Sequence, residues 1–142
     1  MQLQQTLRKN YIFEGKGLHT GRVARMTVCP APVDTGIIFK RTDIGSDAIV
    51  EALAENVSST ARSTTISKGE ASVSTIEHIL SALTGMGVDN ALIEIDNVEV
   101  PILDGSAKPY IDAIWKDGFQ EQDAPRRYIE LKETVEVVNE KG

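Results

Sequence analysis

The hydrophobic period of this chain changes once, and that change limits what it can fold into. Up to about residue 74 the apolar residues come in short, β-branched runs bounded by turn formers. At Ile76, Ile79, Leu80 and Leu83 they recur at i, i+3, i+4 and i+7, the stripe of an amphipathic helix that stops at Gly85 and Gly87. Arg22-Val23-Ala24-Arg25-Met26-Thr27-Val28 and Gly36-Ile37-Ile38-Phe39-Lys40 predict two strands, with Pro30, Pro32 and Asp34-Thr35-Gly36 as turn chemistry between them. A third strand is expected within residues 49–57. Residues 63–66 and 71–73 flank Ser67-Lys68-Gly69-Glu70 as a hairpin.

After the helix, Ala91-Leu92-Ile93-Glu94-Ile95 reads as a strand, and Pro101-Ile102-Leu103-Asp104-Gly105 as a turn into a second helix. That helix has Pro109 in its first turn, Tyr110, Ile111, Ile114 and Trp115 on its apolar face and Gly118 as its stop. Strands, helix, strand and helix in this order describe an α+β two-layer sandwich, a mixed sheet with two helices on one face. Residues 120–127 are polar, contain Pro125 and read as a linker. The alternation from Tyr128 to Val137 reads as a further strand with nothing after it to pair with. The expected organisation is one domain over residues 1–125, then residues 126–142 as the opening strand of a second domain cut short.

Composition narrows the function classes. A single cysteine, Cys29, excludes a disulfide scaffold. No apolar run approaches the roughly 20 residues that span a bilayer, and Met1-Gln2-Leu3-Gln4-Gln5 lacks the apolar core of a signal peptide. The net charge of −6 argues against a general nucleic-acid binder. The charge is uneven: residues 1–41 hold seven Lys/Arg and two acids, residues 42–142 eight and nineteen. A basic first third suits an anionic ligand, and it equally suits a solvated surface.

Three segments could carry chemistry. Glu77-His78 stands at the start of the first helix. At 100° per residue His78 falls about 200° from Ile76, away from the apolar stripe, among the small residues Ser81, Ala82 and Gly85. Such a face suits a covering ligand or partner, including a second copy of the chain. Against a catalytic role, Ser74-Thr75-Ile76-Glu77 matches the S-x-x-E capping box, which alone would explain Glu77. Position 82 is Ala, so an H-E-x-x-H zinc helix is excluded. Gly15-Lys16-Gly17-Leu18-His19-Thr20-Gly21 is either a tight structural loop or an anion cradle, with His19 a candidate ligand or proton carrier. Asp104-Gly105-Ser106 reads most simply as a cap on the second helix.

Taken in order, these segments resemble a known family. Gly17-Leu18-His19-Thr20-Gly21, Pro30-Ala31-Pro32, Thr35-Gly36 and Arg41-Thr42-Asp43 are followed by Ser74-Thr75-Ile76-Glu77-His78 and Gly87-Val88-Asp89-Asn90. Then come Pro101-Ile102-Leu103-Asp104-Gly105-Ser106-Ala107 and Lys132-Glu133-Thr134-Val135. Each motif is weak singly; their order and spacing across nearly the whole chain are similar to the UDP-3-O-acyl-N-acetylglucosamine deacetylases, zinc amidohydrolases of bacterial lipid A synthesis. The resemblance implies two similar α+β domains with the helices sandwiched and the active site between them. It implies a cytoplasmic bacterial enzyme acting on a UDP-linked acylated amino sugar. It also implies Zn2+, or iron in its place, with His78 as one ligand and Glu77 as general base on the metal-bound water. His19, Thr20 and Asp104 are implied as site-loop residues. The remaining ligands, on a His-Lys-x-x-Asp helix, and the general-acid His are implied beyond residue 142. On that reading the 142 residues alone are inactive and hold zinc weakly or not at all. The rival reading is a non-catalytic binding domain in which Glu77 only caps its helix.

Overall fold

The computed structural model describes residues 1–141. Its centre is a five-stranded mixed sheet. β2 (Tyr11–Lys16), β3 (Val23–Pro30), β4 (Ile37–Arg41), β5 (Ile49–Glu51) and β9 (Ala91–Ile95) stand in the order β2-β3-β9-β4-β5. All neighbours are antiparallel except β4 and β9, which run parallel with Phe39 opposite Ile93. Alternation places Met26, Val28, Phe39, Val50, Ile93 and Ile95 on a fully buried inner face. β6 (Val57–Ser59), β7 (Thr65–Lys68) and β8 (Ala71–Ser74) form a second, three-stranded sheet. The expected hairpin is there with a tighter turn, since Lys68 pairs with Ala71 and only Gly69-Glu70 lies between, Gly69 at φ 59°.

Two helices complete the α+β architecture: α1 (Glu77–Gly85) and α2 (Lys108–Ile114). Ile79 and Leu83 of α1 share one core with Tyr110 and Ile114 of α2, and Phe13 packs edge-on to Tyr110 at 4.8 Å. None of the helices among the described residues is long and apolar enough to cross a membrane.

Four expectations need correction. The strand sought over residues 49–57 is broken: β5 ends at Glu51, a 3-10 turn (Ala54–Asn56) follows and Val57 opens β6; the Asn56 side chain donates to the Glu51 carbonyl and closes the bend. Trp115 leaves the apolar face of α2, entering a 3-10 turn (Trp115–Asp117) where it is 61% exposed and edge-on to Phe119. The supposed linker is β10 (Phe119–Pro125), paired antiparallel with β1 (Leu3–Leu7), which has Thr6 opposite Gln120. No strand forms over Tyr128 to Val137: Ile129, Leu131 and Val137 are exposed, and the segment finds no neighbouring strand to complete its ladder.

The β1–β10 seam is joined to the body by Leu7 and Phe119, which reach the core, and by a network of side-chain amides. Asn90 Nδ2 donates to Gln4 Oε1 and Gln122 Oε1, each at 2.8 Å; Asn90 Oδ1 accepts the Gly36 amide at 2.9 Å. Gln4 Nε2 donates to Asp34 Oδ1 and the Pro125 carbonyl, and Thr6 Oγ1 to the Asn90 carbonyl. Among the described residues, no buried side-chain nitrogen or oxygen lacks a partner.

Candidate active site

α1 opens on the two residues of interest, Glu77 first and His78 second. The capping box does not form. Ile76 occupies the N-cap position, and Ser74 is committed to β8, its amide donating to the Val98 carbonyl at 2.8 Å and its hydroxyl to the same oxygen at 3.4 Å. Glu77 Oε2 instead accepts the Thr64 amide at 3.1 Å, across thirteen residues of sequence. That bond orients the carboxylate, and Oε1 accepts no hydrogen bond among the described residues. Capping therefore no longer explains Glu77.

His78 is half-buried, and its ring makes no hydrogen bond with any described residue. It lies on the shoulder of the helix rather than opposite the core, because the buried face is wider than the four-residue stripe. Ala82, expected beside His78 on an outward face, is 0% exposed and buried with Met86; Ser81, Thr84 and Gly85 form the solvent side.

The loop carrying His19 and Thr20 is exposed, yet its backbone is tightly held. Gly17 donates to the Arg22 carbonyl and Gly21 to the Gly17 carbonyl, with Gly21 at φ 65°. The anchor is Glu99, which the sequence reading missed. Its carboxylate is 1% exposed and accepts the His19 amide at 3.0 Å on Oε1 and 3.2 Å on Oε2, the Thr20 amide at 2.8 Å on Oε2, and the Thr75 hydroxyl at 2.9 Å on Oε1. The loop comes so close that a Cβ on Gly17 would stand 2.6 Å from the Glu99 Cδ; glycine is required there for space, not for φ.

Burial alone would raise the Glu99 carboxyl. The His19 and Thr20 amides, with the hydroxyls of Thr20 and Thr75, outweigh it and hold the group below the usual carboxylate range. Thr75 itself has φ 58°, a conformation that costs a β-branched residue about 1–3 kcal/mol. This strained residue sits two positions before Glu77.

The third segment joins the same neighbourhood. Ile102 donates to the Lys16 carbonyl at 2.9 Å, and Pro101 and Leu103 lie against Gly15. Asp104 does not cap α2 directly. Its Oδ1 accepts the Ser106 hydroxyl and amide, which hold its carboxyl below the usual range, and Ser106 Oγ in turn accepts the Lys108 amide at 3.1 Å. Strand pairing and Glu99 thus bring together segments that lie over eighty residues apart in sequence.

Among the described residues no three His, Cys, Asp or Glu side chains group as a metal site. The unbonded ring of His78 suits one ligand position, and the unbonded Glu77 Oε1 suits a proton acceptor beside it. Cys29 does not fit: burial, then the neighbouring Glu94 carboxylate, push its thiol up and away from the thiolate a metal needs.

A family model described as UDP-3-O-acyl N-acetylglycosamine deacetylase matches residues 4–142. The bifunctional enzyme LpxC/FabZ of Porphyromonas gingivalis is 51% identical over 137 residues, covering 96% of this chain and 30% of that protein. The UDP-3-O-acyl-N-acetylglucosamine deacetylase of Teredinibacter turnerae is 46% identical over 134 residues, 94% of this chain and 44% of its own length. That of Citrifermentans bemidjiense is 49% identical over 139 residues, 98% and 46%. The chain spans less than half the length of these relatives.

Proposed function

Since the chain belongs to the UDP-3-O-acyl N-acetylglycosamine deacetylase family, we propose that it contributes half of an active site that hydrolyses the N-acetyl amide of a UDP-linked 3-O-acyl glucosamine in lipid A synthesis. The observation that carries this reading is the pair of unspent groups at the start of α1: among the described residues the half-buried His78 ring has no hydrogen-bond partner, and the Glu77 carboxylate has one oxygen occupied and one free. His78 is one ligand of a zinc ion, or of iron in its place, and the other ligands come from the second domain expected beyond residue 142. Such a metal, when bound, polarises the amide carbonyl and acidifies water to a pKa of about 7.

The chain's own residues do the rest of this half-site's work. The Thr64 amide fixes Glu77 Oε2, so Oε1 is the acceptor for the attacking water's proton. The C–N bond breaks, releasing acetate and a free 2-amine, and the amine takes its proton from a group outside this chain. Being neighbours on a helix, Glu77 and His78 diverge by about 100°, which lets one hold a proton while the other coordinates. His19, Thr20 and Asp104 lie on exposed loops, and on this reading they belong to the substrate side of the site.

The test is acetate release from the substrate by the full-length protein. Wild type is expected to turn over, His78→Ala to lose bound metal, and Glu77→Ala to keep metal while losing most of its rate. Unchanged turnover in Glu77→Ala removes it from the base role. The 142 residues alone, offering one ligand, are expected to release no acetate.

A further inference from the structure

We infer that Glu99 is a positioning residue, a single buried carboxylate that sets the His19–Thr20 loop and the Thr75 turn ahead of Glu77 and His78 in one common geometry. The inference rests on the deacetylase reading for its kinetic arm only.

Glu99 has features that a plain structural acid would not need. It is buried, and no cation pairs with it among the described residues; its charge is balanced by amide and hydroxyl dipoles alone. An apolar residue or a neutral amide would be the cheaper filling for such a space, so the charge must answer to the donors aimed at it. Those donors belong to two chain segments with no sheet pairing to each other: residues 17–21, and Thr75 between β8 and α1. Each oxygen takes a different share. Oε2 holds the Thr20 amide, Oε1 holds the Thr75 hydroxyl, and the His19 amide is shared between them.

On the Thr75 side the carboxylate restrains a β-branched residue at φ 58°, a conformation that persists only where its surroundings over-determine it. Relaxation of that turn would rotate the start of α1 and carry Glu77 and His78 with it. On the loop side the same carboxylate pins the backbone from which the His19 and Thr20 side chains project. Glu99 touches no substrate and transfers no proton; it acts through the residues on either side of it.

Glu99→Gln keeps the shape and removes the charge, while forcing an NH2 group against amide donors. In the metal-free full-length protein, hydrogen exchange at the His19 and Thr20 amides is expected to quicken about 10- to 100-fold, the worth of a charge-assisted hydrogen bond, with Leu83 in α1 unchanged. In the metal-loaded protein kcat is expected to fall about 10- to 100-fold, and the further loss to be smaller in a His19→Ala background, where the loop route is already spent and the Thr75 route remains. Unchanged exchange at His19 and Thr20, or an equal loss of kcat in both backgrounds, overturns the proposal. Should Glu99→Gln fail to fold, Thr75 decides: Thr75→Ala is expected to lower kcat about tenfold and Thr75→Ser to restore it, since only the hydroxyl reaches Glu99. Equal rates for the two overturn the proposal. A wild-type protein that releases no acetate sinks the deacetylase reading instead, and the exchange measurement still stands by itself.

Discussion

The β1–β10 seam and the cradle around Glu99 both bury polar side chains, yet they use opposite chemistry. At the seam, Gln4, Asn90 and Gln122 are neutral and trade hydrogen bonds among themselves and with nearby backbone groups, Gln4 also reaching the exposed Asp34 side chain at the margin. In the cradle one charged group collects donors from distant segments, beside a strained residue and an exposed loop. The neutral network shares its bonds among several side chains from distant strands, and so serves cohesion. A buried charge tolerates only the geometry in which every donor points at it, and so serves placement.

The comparison breaks if changes at the site act on stability, or changes at the seam act on rate. The largest effect is expected from Glu77→Ala in the full-length protein, a loss of about a thousandfold in turnover, as for a removed general base, with the urea midpoint near wild type. Asn90→Ala should do the reverse. It orphans the Gly36 amide and strips donors from Gln4 and Gln122, costing about 3 kcal/mol by urea unfolding, while the turnover of the folded fraction holds.

Arg126→Ala is expected to cost about 1–2 kcal/mol, since the guanidinium pairs with Asp89 and reaches the Gly87 carbonyl from a largely buried position. Acid should single out the cradle. Because Glu99 titrates lower folded than unfolded, its contribution is complete above the unfolded value of about 4.3 and is lost as pH falls through the folded one. Acid unfolding curves of Glu99→Gln should lack that part of the slope. Least of all, Lys108→Ala, which removes an exposed pairing with Asp112 one turn along α2, should leave the urea midpoint unchanged within error.

Where apolar periodicity and burial agree, the fold was legible: β3, β4, β9 and the stripe of α1 follow directly from their Val, Ile and Leu spacing. β1 and β10 were not, because the residues buried along them are mostly polar, Leu7 being the exception. Gln4 and Thr6 are buried while Gln5 is only partly so, and an alternation of glutamines and threonine carries no hydrophobic signal. Glu77, His78, His19 and Asp104 could be singled out by residue type and motif. Glu99 could not, because an acid between Val98 and Val100 reads as the outward residue of a strand. The one hint was the absence of any lysine or arginine nearby in sequence to pair with it. The capping box failed for a related reason: strand pairing through Val98 had already claimed Ser74 before α1 begins.

Arg126 has a mechanical consequence. It is the first residue after β10, and it grips the Gly87 carbonyl and Asp89 just past the C-terminal end of α1. At 1.5 Å per residue the nine residues of α1 form a rod of about 13 Å with Glu77 and His78 at its far tip. The Arg126 guanidinium thereby fastens the end of β10 to the turn that closes α1, while its amide holds the Gln2 carbonyl just ahead of β1, so one residue locks the seam to the end of the helix remote from Glu77 and His78.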